Sequence, residues 1–309
     1  MGEVELNRVF AFIKLTRIQF VLPGILPFIA GAIVGWRASG SFNLNLFLIC
    51  LISIILIMLM GFLTDEYIDY NIDKANITNT KYSGGSRVLV EGHLEKNIAL
   101  IAGIICGILF LTLITPLYFK YYFKDFPYIV LFGIIGLFIG YAYGDPPFKF
   151  SYKGWGEVLT AFGCGYLAIA VGYYINTGRV DLTPLVLSFP PALTVFCLAF
   201  INAYPDVEPD RDGGKKTLPV IFGIERMNYV YIVCLVLADA SLMLSPVLID
   251  APKLLYLFSL PSIVLTYFSV KMILIGKYKK KEELEALSLY TLLMMIFASL
   301  SIIFAYLLA

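Results

Sequence analysis

Long apolar segments separated by short polar loops dominate the chain. Nine of them are long enough to cross a bilayer as helices, at residues 18–36, 44–63, 97–118, 126–143, 157–176, 182–203, 227–248, 254–270 and 286–308. No linker is long enough to separate two folding units. The pattern predicts an all-α integral membrane protein with nine transmembrane helices, forming a single domain over residues 1–309.

Composition and loop charge agree with this prediction and add an orientation. The chain is 60% hydrophobic and only 15% charged, well below the charged fraction of a soluble domain. With nine spans, the N-terminus and the loops after the even-numbered spans carry 18 of the 23 Lys and Arg residues. That asymmetry predicts a multi-pass protein with these loops in the cytoplasm. The net charge of +1 gives no indication of a nucleic-acid partner.

Two acidic motifs of similar design follow the second and sixth spans, on the predicted cytoplasmic side. The first contains Asp65, Asp69 and Asp73, and the second contains Asp206 and Asp210. A spacing of four residues stacks carboxylates on one face of a helix. Such carboxylates repel each other unless a cation lies among them. Since no Cys or His lies close by, a hard cation such as Mg²⁺ suits these ligands, and Mg²⁺ commonly shares its shell with substrate phosphates.

Glycines and cationic residues follow each acidic motif. Glycine permits close approach of the backbone to a ligand, and Lys and Arg bind phosphate oxygens. The residues concerned are Gly84, Gly85 and Arg87 after the first motif, and Gly213, Gly214, Lys215, Lys216 and Thr217 after the second. Each motif therefore combines acids for metal with cations for phosphate.

The motifs lie four spans apart, which indicates a weak internal repeat. We expect two four-helix halves that face each other, with the ninth helix added to them. This arrangement would bring the motifs together across a central cavity.

Other residues near the ends of the spans are candidates for substrate binding. Each also has an ordinary interpretation, since cationic and aromatic residues anchor helix ends at the membrane interface and Asn caps helices. The candidates are Arg17, Tyr141, Lys149, Lys153, Asn202 and Tyr204.

Two other classes of site are less consistent with the sequence. The second motif imitates the opening of a calcium-binding loop, but Pro219 occupies the position where that loop requires Glu. A cation or anion transporter would fit the halves and the proline-containing helices, although transporter sites usually lie near the membrane midplane. Transport remains an alternative to enzymatic activity.

The motifs resemble those of the UbiA superfamily of intramembrane prenyltransferases, over most of the chain from Arg17 to the last span. The family's first motif, Asn-Asp-x-x-Asp-x-x-x-Asp, corresponds here to Asp65, Glu66, Asp69 and Asp73, with Asp and Glu at the first two positions. Its second motif, Asp-x-x-x-Asp-x-x-x-Gly-x-Lys-Thr, is matched in full by Asp206, Asp210, Gly214, Lys216 and Thr217. The resemblance implies a cavity open sideways to lipid and two Mg²⁺ ions bridging an isoprenyl diphosphate.

The motifs and the resemblance together predict a reaction. Mg²⁺ would be held by Asp65, Asp69, Asp206 and Asp210, with Asp73 as a ligand or directly behind them. Arg87 and Lys216, with Lys149 or Lys153, would neutralise the leaving pyrophosphate, and the predicted catalytic residues are Asp69, Asp206, Arg87 and Lys216. Lys215 and the other candidates near the span ends would contribute to substrate binding. The allylic carbocation formed would be attacked by an aromatic acceptor.

The acceptor is less well defined. The segment NAYPDVEPDRDGGKKTL resembles the sequences of the branch that prenylates 1,4-dihydroxy-2-naphthoate for menaquinone. The lysine at position 149 instead resembles the hydroxybenzoate branch. A third possibility is the transfer of a geranylgeranyl chain to geranylgeranylglyceryl phosphate in archaeal lipid synthesis. Lys149, Lys153 and Lys215 would then bind the acceptor's phosphate.

Overall fold

The computed structural model describes residues 7–121 and 126–309, and all regular secondary structure in these ranges is helical. The predicted domain, 1–309, extends beyond them at residues 1–6 and 122–125. The α-helices are α1 (Arg8–Leu15), α2 (Leu22–Ser39), α3 (Leu44–Ile68), α4 (Tyr70–Ala75), α5 (Lys96–Tyr121), α6 (Tyr128–Gly144), α7 (Gly156–Ala161), α8 (Ala168–Thr177), α9 (Leu182–Asn202), α10 (Val207–Asp212), α11 (Leu218–Phe222), α12 (Ile224–Leu248), α13 (Leu255–Phe258), α14 (Leu260–Leu274) and α15 (Lys281–Leu308).

Eight helical stretches within the described ranges are long and apolar enough to cross a bilayer. They coincide, apart from a few residues at each end, with eight of the nine predicted spans. The predicted span 126–143 corresponds to α6, an apolar helix of 17 residues that is shorter than the others. The prediction of an all-helical membrane protein is confirmed, whereas the count of nine spans is not.

The fifth predicted span changes its hydrogen bonding midway. α7 passes into a π-helical segment at Phe162–Leu167, which continues directly into α8. π-helical segments inside helices are frequent at functional sites. Gly163, Cys164 and Leu167 of this segment line a central cavity.

α2 and α8 cross in close contact because glycines face each other between them. A Cβ atom on Gly31 would overlap the carbonyl group of Ile169, and one on Gly172 would overlap the carbonyl oxygen of Phe28. Small residues allow this approach in membrane proteins, where tight van der Waals packing helps to hold helices together.

The packed interior and the outer surface are both apolar. The largest buried cluster joins α9, α12, α14 and α15 and includes Phe200, Tyr231 and Leu287. Large apolar side chains such as Ile104 and Ile108 of α5 face outward and are exposed. An apolar exterior of this kind suits contact with lipid tails.

Candidate active site

The first acidic motif forms an almost continuous extension of α3. The amide of Asp69 donates to the carbonyl of Asp65 at 2.8 Å, and the amide of Asp73 donates to that of Asp69 at 2.9 Å. This helical path stacks the three carboxylates as the sequence spacing predicts. All three residues line the same cavity.

The second motif has the same local geometry. The amide of Asp210 donates to the carbonyl of Asp206 at 2.7 Å, so the two aspartates are one helical turn apart. The chain then folds back, and the amide of Lys215 donates to the carbonyl of Asp210 at 2.7 Å. Asp206, Asp210 and Lys215 line the cavity together with the first motif.

Direct hydrogen bonds join the two motifs. The side-chain amide of Asn76 donates to Asp206 Oδ1 at 2.7 Å, and the backbone amide of Gly84 donates to Asp206 Oδ2 at 3.2 Å. Lys215 Nζ of the second motif forms an ion pair with Asp69 of the first. The loops and acids of both motifs therefore form one site, as the internal repeat predicts.

Glu66 occupies a position at which the family has Asp, and both of its oxygens already have partners. The amide of Ser86 donates to Oε1 at 2.5 Å, and the Ser86 hydroxyl donates to Oε2 at 2.8 Å. Arg17 lies 4.0 Å from Glu66 Oε1 and also lines the cavity. Arg17 therefore lies beside the first motif, within reach of the site.

The cavity has a volume of about 330 Å³ and is strongly divided in character. One end is formed by the acidic motifs and their loops. The remaining walls are mainly apolar and aromatic and include Ile54, Phe110, Phe132, Ile139, Leu167 and Leu198. Polar residues among them include Ser151, Glu157 and Asn202. A ligand with a charged head and a hydrocarbon tail matches this division.

Negative charge is in large excess around the cavity. Among the described residues, seven acids line it (Asp65, Glu66, Asp69, Asp73, Glu157, Asp206 and Asp210), but only two cations do so (Arg17 and Lys215). Burial, reinforced by neighbouring acids, raises the pKa of Asp73 to about 8. Burial also raises the pKa of Asp210 to about 7. Added positive charge would favour the ionised form of both groups.

Lys215 is the cation at the centre of the acids. Burial alone would lower its pKa, but Asp69, Asp65 and Asp210 raise it well above the ordinary lysine value. The Tyr152 hydroxyl donates to the other oxygen of Asp69 at 2.5 Å. With Lys215 and Tyr152 bound to Asp69, no three His, Cys, Asp or Glu side chains in the described ranges converge closely enough to hold a metal ion.

Several predicted basic residues lie outside the cavity. The Arg87 guanidinium donates to the backbone carbonyls of Asp73 and Asn76, where it caps α4. Lys149 Nζ lies over the ring of Tyr152, 4.7 Å from the ring centroid. Lys153 and Lys216 are exposed, and neither lines the cavity.

The predicted tyrosines and asparagine are divided in the same way. Tyr141 is 42% exposed and donates to the carbonyl of Pro146, and Tyr204 is buried and donates to Asn228 at 3.0 Å. Neither tyrosine lines the cavity, whereas Asn202 does.

Sequence reasoning missed several residues that build the site. Tyr143, rather than Tyr141, contributes a ring to the cavity wall, and Ser151 and Glu157 line it as well. Asn76, which donates to Asp206, was not predicted as a site residue, although it lies only three residues after Asp73 in the sequence. Glu157 is the first residue of the fifth predicted span, but nothing in the sequence indicated the direction of its side chain.

A bundle of membrane helices with two acidic motifs closing one end of an apolar cavity defines the class of protein. The model of the UbiA prenyltransferase family matches residues 25–292. The chain therefore belongs to this family, and the prediction of a prenyltransferase is confirmed.

Individual relatives are similar to the chain at low sequence identity. The 1,4-dihydroxy-2-naphthoate octaprenyltransferase of Bacillus subtilis (strain 168) is 25% identical over 252 residues, which is 78% of each chain. The 2-carboxy-1,4-naphthoquinone phytyltransferase of Synechocystis sp. is 28% identical over 64% of this chain and 61% of its own length. The structure of a UbiA homologue from Archaeoglobus fulgidus bound to DMAPP and Mg²⁺ has a TM-score of 0.57 at 18% identity, covering 94% of this chain and 98% of that one. That similarity shows a shared fold.

Proposed function

We propose that this protein transfers an isoprenyl group from an isoprenyl diphosphate to a hydroxylated aromatic acceptor of the quinone-precursor type, with Mg²⁺ as cofactor. The observation that carries the proposal is the division of the cavity, in which two acidic motifs close one end and mainly apolar side chains form the rest. An isoprenyl diphosphate is divided in the same way. The naphthoate and naphthoquinone substrates in the names of the two relatives support the acceptor class.

The residues present fit Mg²⁺ in their chemistry. Oxygen ligands are what Mg²⁺ requires, and the excess of five acids over cations around the cavity, seven against two, favours added positive charge. Asp65 Oδ1 is buried without a hydrogen-bond partner. We propose Asp65, Asp69, Asp206 and Asp210 as ligands, with Asp73 beside them. Binding would require Lys215 to release Asp69, and a diphosphate that arrives with the metal offers Lys215 a new anionic partner.

The two ions expected from the family would neutralise the diphosphate and stabilise the departing pyrophosphate. Lys215 and Arg17, the two cations that line the cavity among the residues the structure describes, would bind the diphosphate oxygens. We therefore assign this role to Lys215 in preference to the exposed Lys216. Arg87 would act indirectly, because it holds the backbone between the first motif and Asn76.

Positive charge develops on the allylic carbon as its bond to oxygen breaks. Tyr143 lines the cavity at the end of α6 that meets Asp65, and its aromatic ring would face the allylic group. An aromatic ring face stabilises a cation. The apolar walls would keep out water, which would otherwise capture the carbocation.

The placement of the lysines bears on the acceptor. An acceptor phosphate would require cations beyond those that serve the diphosphate. Lys149 and Lys153 do not line the cavity, and Lys215 is paired with Asp69. This arrangement favours an uncharged hydroxyl group as the acceptor's polar contact over a glyceryl phosphate. We propose that the site opens on the cytoplasmic side, as the asymmetry of Lys and Arg among the loops predicts.

The proposal is tested by incubating the purified protein with labelled geranylgeranyl diphosphate, Mg²⁺ and three acceptors in parallel. These are 1,4-dihydroxy-2-naphthoate, 4-hydroxybenzoate and geranylgeranylglyceryl phosphate. We expect a prenylated aromatic product that disappears when EDTA is added. A product from the glyceryl phosphate alone, or uptake of an ion into liposomes with no covalent product, would contradict the proposal.

Variants of the acidic residues provide the matching control. Asp69→Asn and Asp206→Asn should each lower turnover at least 100-fold, because both residues lie where the motifs meet. Asp212→Asn should leave turnover unchanged, since Asp212 is exposed and does not line the cavity. Similar turnover in all three variants would contradict the metal assignment.

A further inference from the structure

Buried oxygen atoms without hydrogen-bond partners are concentrated in the cavity. The described residues contain five such side-chain atoms, and four of them belong to cavity residues: Asp65 Oδ1, Ser151 Oγ, Glu157 Oε2 and Asn202 Oδ1. Native proteins pair nearly all of their buried polar groups. Asp65 belongs to the proposed metal site, whereas the other three oxygens lie outside it and can accept or share hydrogen bonds with a second ligand.

Glu157 is held firmly in place. It lies in the first turn of α7, and its Oε1 accepts a hydrogen bond from the amide of Leu218 at 2.8 Å. Leu218 follows Thr217, which lines the cavity and donates to Asp210 at 3.5 Å. The carboxyl group of Glu157 is therefore anchored to the loop of the second acidic motif.

The free oxygen of Glu157 has no structural role of this kind. Glu157 is only 5% exposed, and Oε2 has no partner. A glutamine would serve equally well to hold Leu218, so the structural contact does not explain why a carboxyl group is buried here. Burial of a carboxyl oxygen without a hydrogen-bond partner is costly.

Ser151 and Tyr143 lie beside Glu157. A Cβ atom on the neighbouring Gly156 would lie 3.1 Å from Ser151 Cβ and 3.2 Å from Tyr143 Cε2. The two residues thus pack against the first turn of α7 on the cavity wall. Asn202 lines the cavity from the end of α9, four residues before Asp206.

We propose that Glu157, Ser151 and Asn202 form the binding site for the acceptor's hydroxyl groups, and that Glu157 Oε2 takes the proton of one hydroxyl during the reaction. This inference rests on the proposed function. The carbon–oxygen bond of the isoprenyl diphosphate breaks, and its electron pair leaves with pyrophosphate. A π-electron pair of the acceptor ring forms the new carbon–carbon bond. A lone pair on the hydroxyl oxygen forms a carbonyl group as the proton moves to Glu157. The ring becomes aromatic again when the carbon that carries the isoprenyl group loses its proton, or its carboxyl group as CO₂, and the carbonyl oxygen takes the proton back from Glu157.

The test compares full-length Glu157→Gln and Ser151→Ala with the wild type. Glutamine keeps an oxygen for the Leu218 amide but does not accept the proton. Binding of geranylgeranyl thiolodiphosphate with Mg²⁺ checks the folded state and the diphosphate site, and steady-state transfer to 1,4-dihydroxy-2-naphthoate gives kcat and both KM values. We expect Glu157→Gln to bind the analogue within about threefold of the wild type and to lose at least 100-fold in kcat, within the range for general-base catalysis of about 10²–10⁴.

Ser151→Ala tests the site without altering a charge. Removing an unpaired buried hydroxyl should leave the melting temperature of the acceptor-free protein unchanged or higher, because no hydrogen bond is lost. The same change should raise the acceptor KM at least fivefold and leave the isoprenyl diphosphate KM unaltered. A purely structural role for Ser151 would not produce this separation.

Two results would overturn the inference alone, while the wild type still transfers the isoprenyl group. The first is a Glu157→Gln variant with kcat and acceptor KM within threefold of the wild type. The second, which decides the matter if Glu157→Gln does not bind the analogue, is an unchanged acceptor KM in Ser151→Ala. If the wild type transfers to none of the acceptors, the proposed function fails and the inference fails with it.

Discussion

The Lys215 ammonium group pairs with Asp69, a proposed metal ligand. Replacement of Lys215 by methionine should make the free energy of unfolding strongly dependent on Mg²⁺. The ion pair with Asp69 is buried, with side chains 12% and 6% exposed. Removing one partner of a buried pair costs about 3–5 kcal/mol, because the remaining charge is left uncompensated. In the absence of metal, we expect Lys215→Met to lose about this much free energy of unfolding.

Mg²⁺ together with geranylgeranyl thiolodiphosphate should restore much of that loss. A ligand present at about 100 times its dissociation constant stabilises the folded state by about 2.7 kcal/mol. In the wild type, Mg²⁺ must displace Lys215 from Asp69, whereas in Lys215→Met it meets free carboxylates. The variant lacks the Lys215 contact to the diphosphate, which is worth about 1.5–3 kcal/mol, but the wild type must break a buried ion pair worth about 3–5 kcal/mol. Metal and analogue should therefore stabilise the variant more than the wild type.

The assay is chemical unfolding in detergent micelles, followed by circular dichroism, in EDTA and in Mg²⁺ with the analogue. Lys216→Met is the matched control, since Lys216 is the adjacent lysine, is exposed and does not line the cavity. The control should behave as the wild type does under both conditions. The reasoning would be refuted if Lys215→Met were as stable as Lys216→Met in EDTA, or if the ligands stabilised all three proteins equally.

Three further predictions test other parts of the structure. Asn76→Ala removes the 2.7 Å donor of the half-buried Asp206 and should cost about 1–3 kcal/mol in chemical unfolding; an unchanged midpoint would contradict the link between the motifs. Burial raises the pKa of Asp73 to about 8, so the folded protein keeps a proton that the unfolded chain releases near pH 4. The melting temperature in EDTA should therefore fall as pH rises from about 5 to 8. A melting temperature that rises over that range would contradict the raised pKa. Gly31→Ala should lower the melting temperature by many degrees, because its methyl group meets backbone atoms of α8, while Gly107→Ala, facing only the flexible Met60 side chain, should change it little; equal effects would contradict the proposed packing.

The features that follow from local spacing could be predicted from the sequence. Apolar length determines which segments can span a membrane, and the four-residue interval stacks Asp65, Asp69 and Asp73 because α3 continues almost unbroken into α4. The contact between the two motifs could also be predicted, because their similar positions in the two halves imply similar depths in the bilayer.

The features that depend on packing could not be predicted in this way. Tyr141 and Tyr143 lie in the same last turn of α6, and the packing of α6 against its neighbours decides which ring turns inward. Lys215 and Lys216 are adjacent, and the loop conformation sends only Lys215 into the cavity. Arg87 was expected to bind the phosphate, but its guanidinium instead donates hydrogen bonds to backbone carbonyls at the end of α4.

The central claim is that both acidic motifs hold one metal–diphosphate group between them. Crystals grown with Mn²⁺ and geranylgeranyl thiolodiphosphate would locate the metal directly by its anomalous scattering. The account predicts anomalous peaks between Asp69 and Asp206, in contact with the diphosphate and with Lys215 moved away from Asp69. Peaks beside only one motif, or a diphosphate bound away from both, would contradict it.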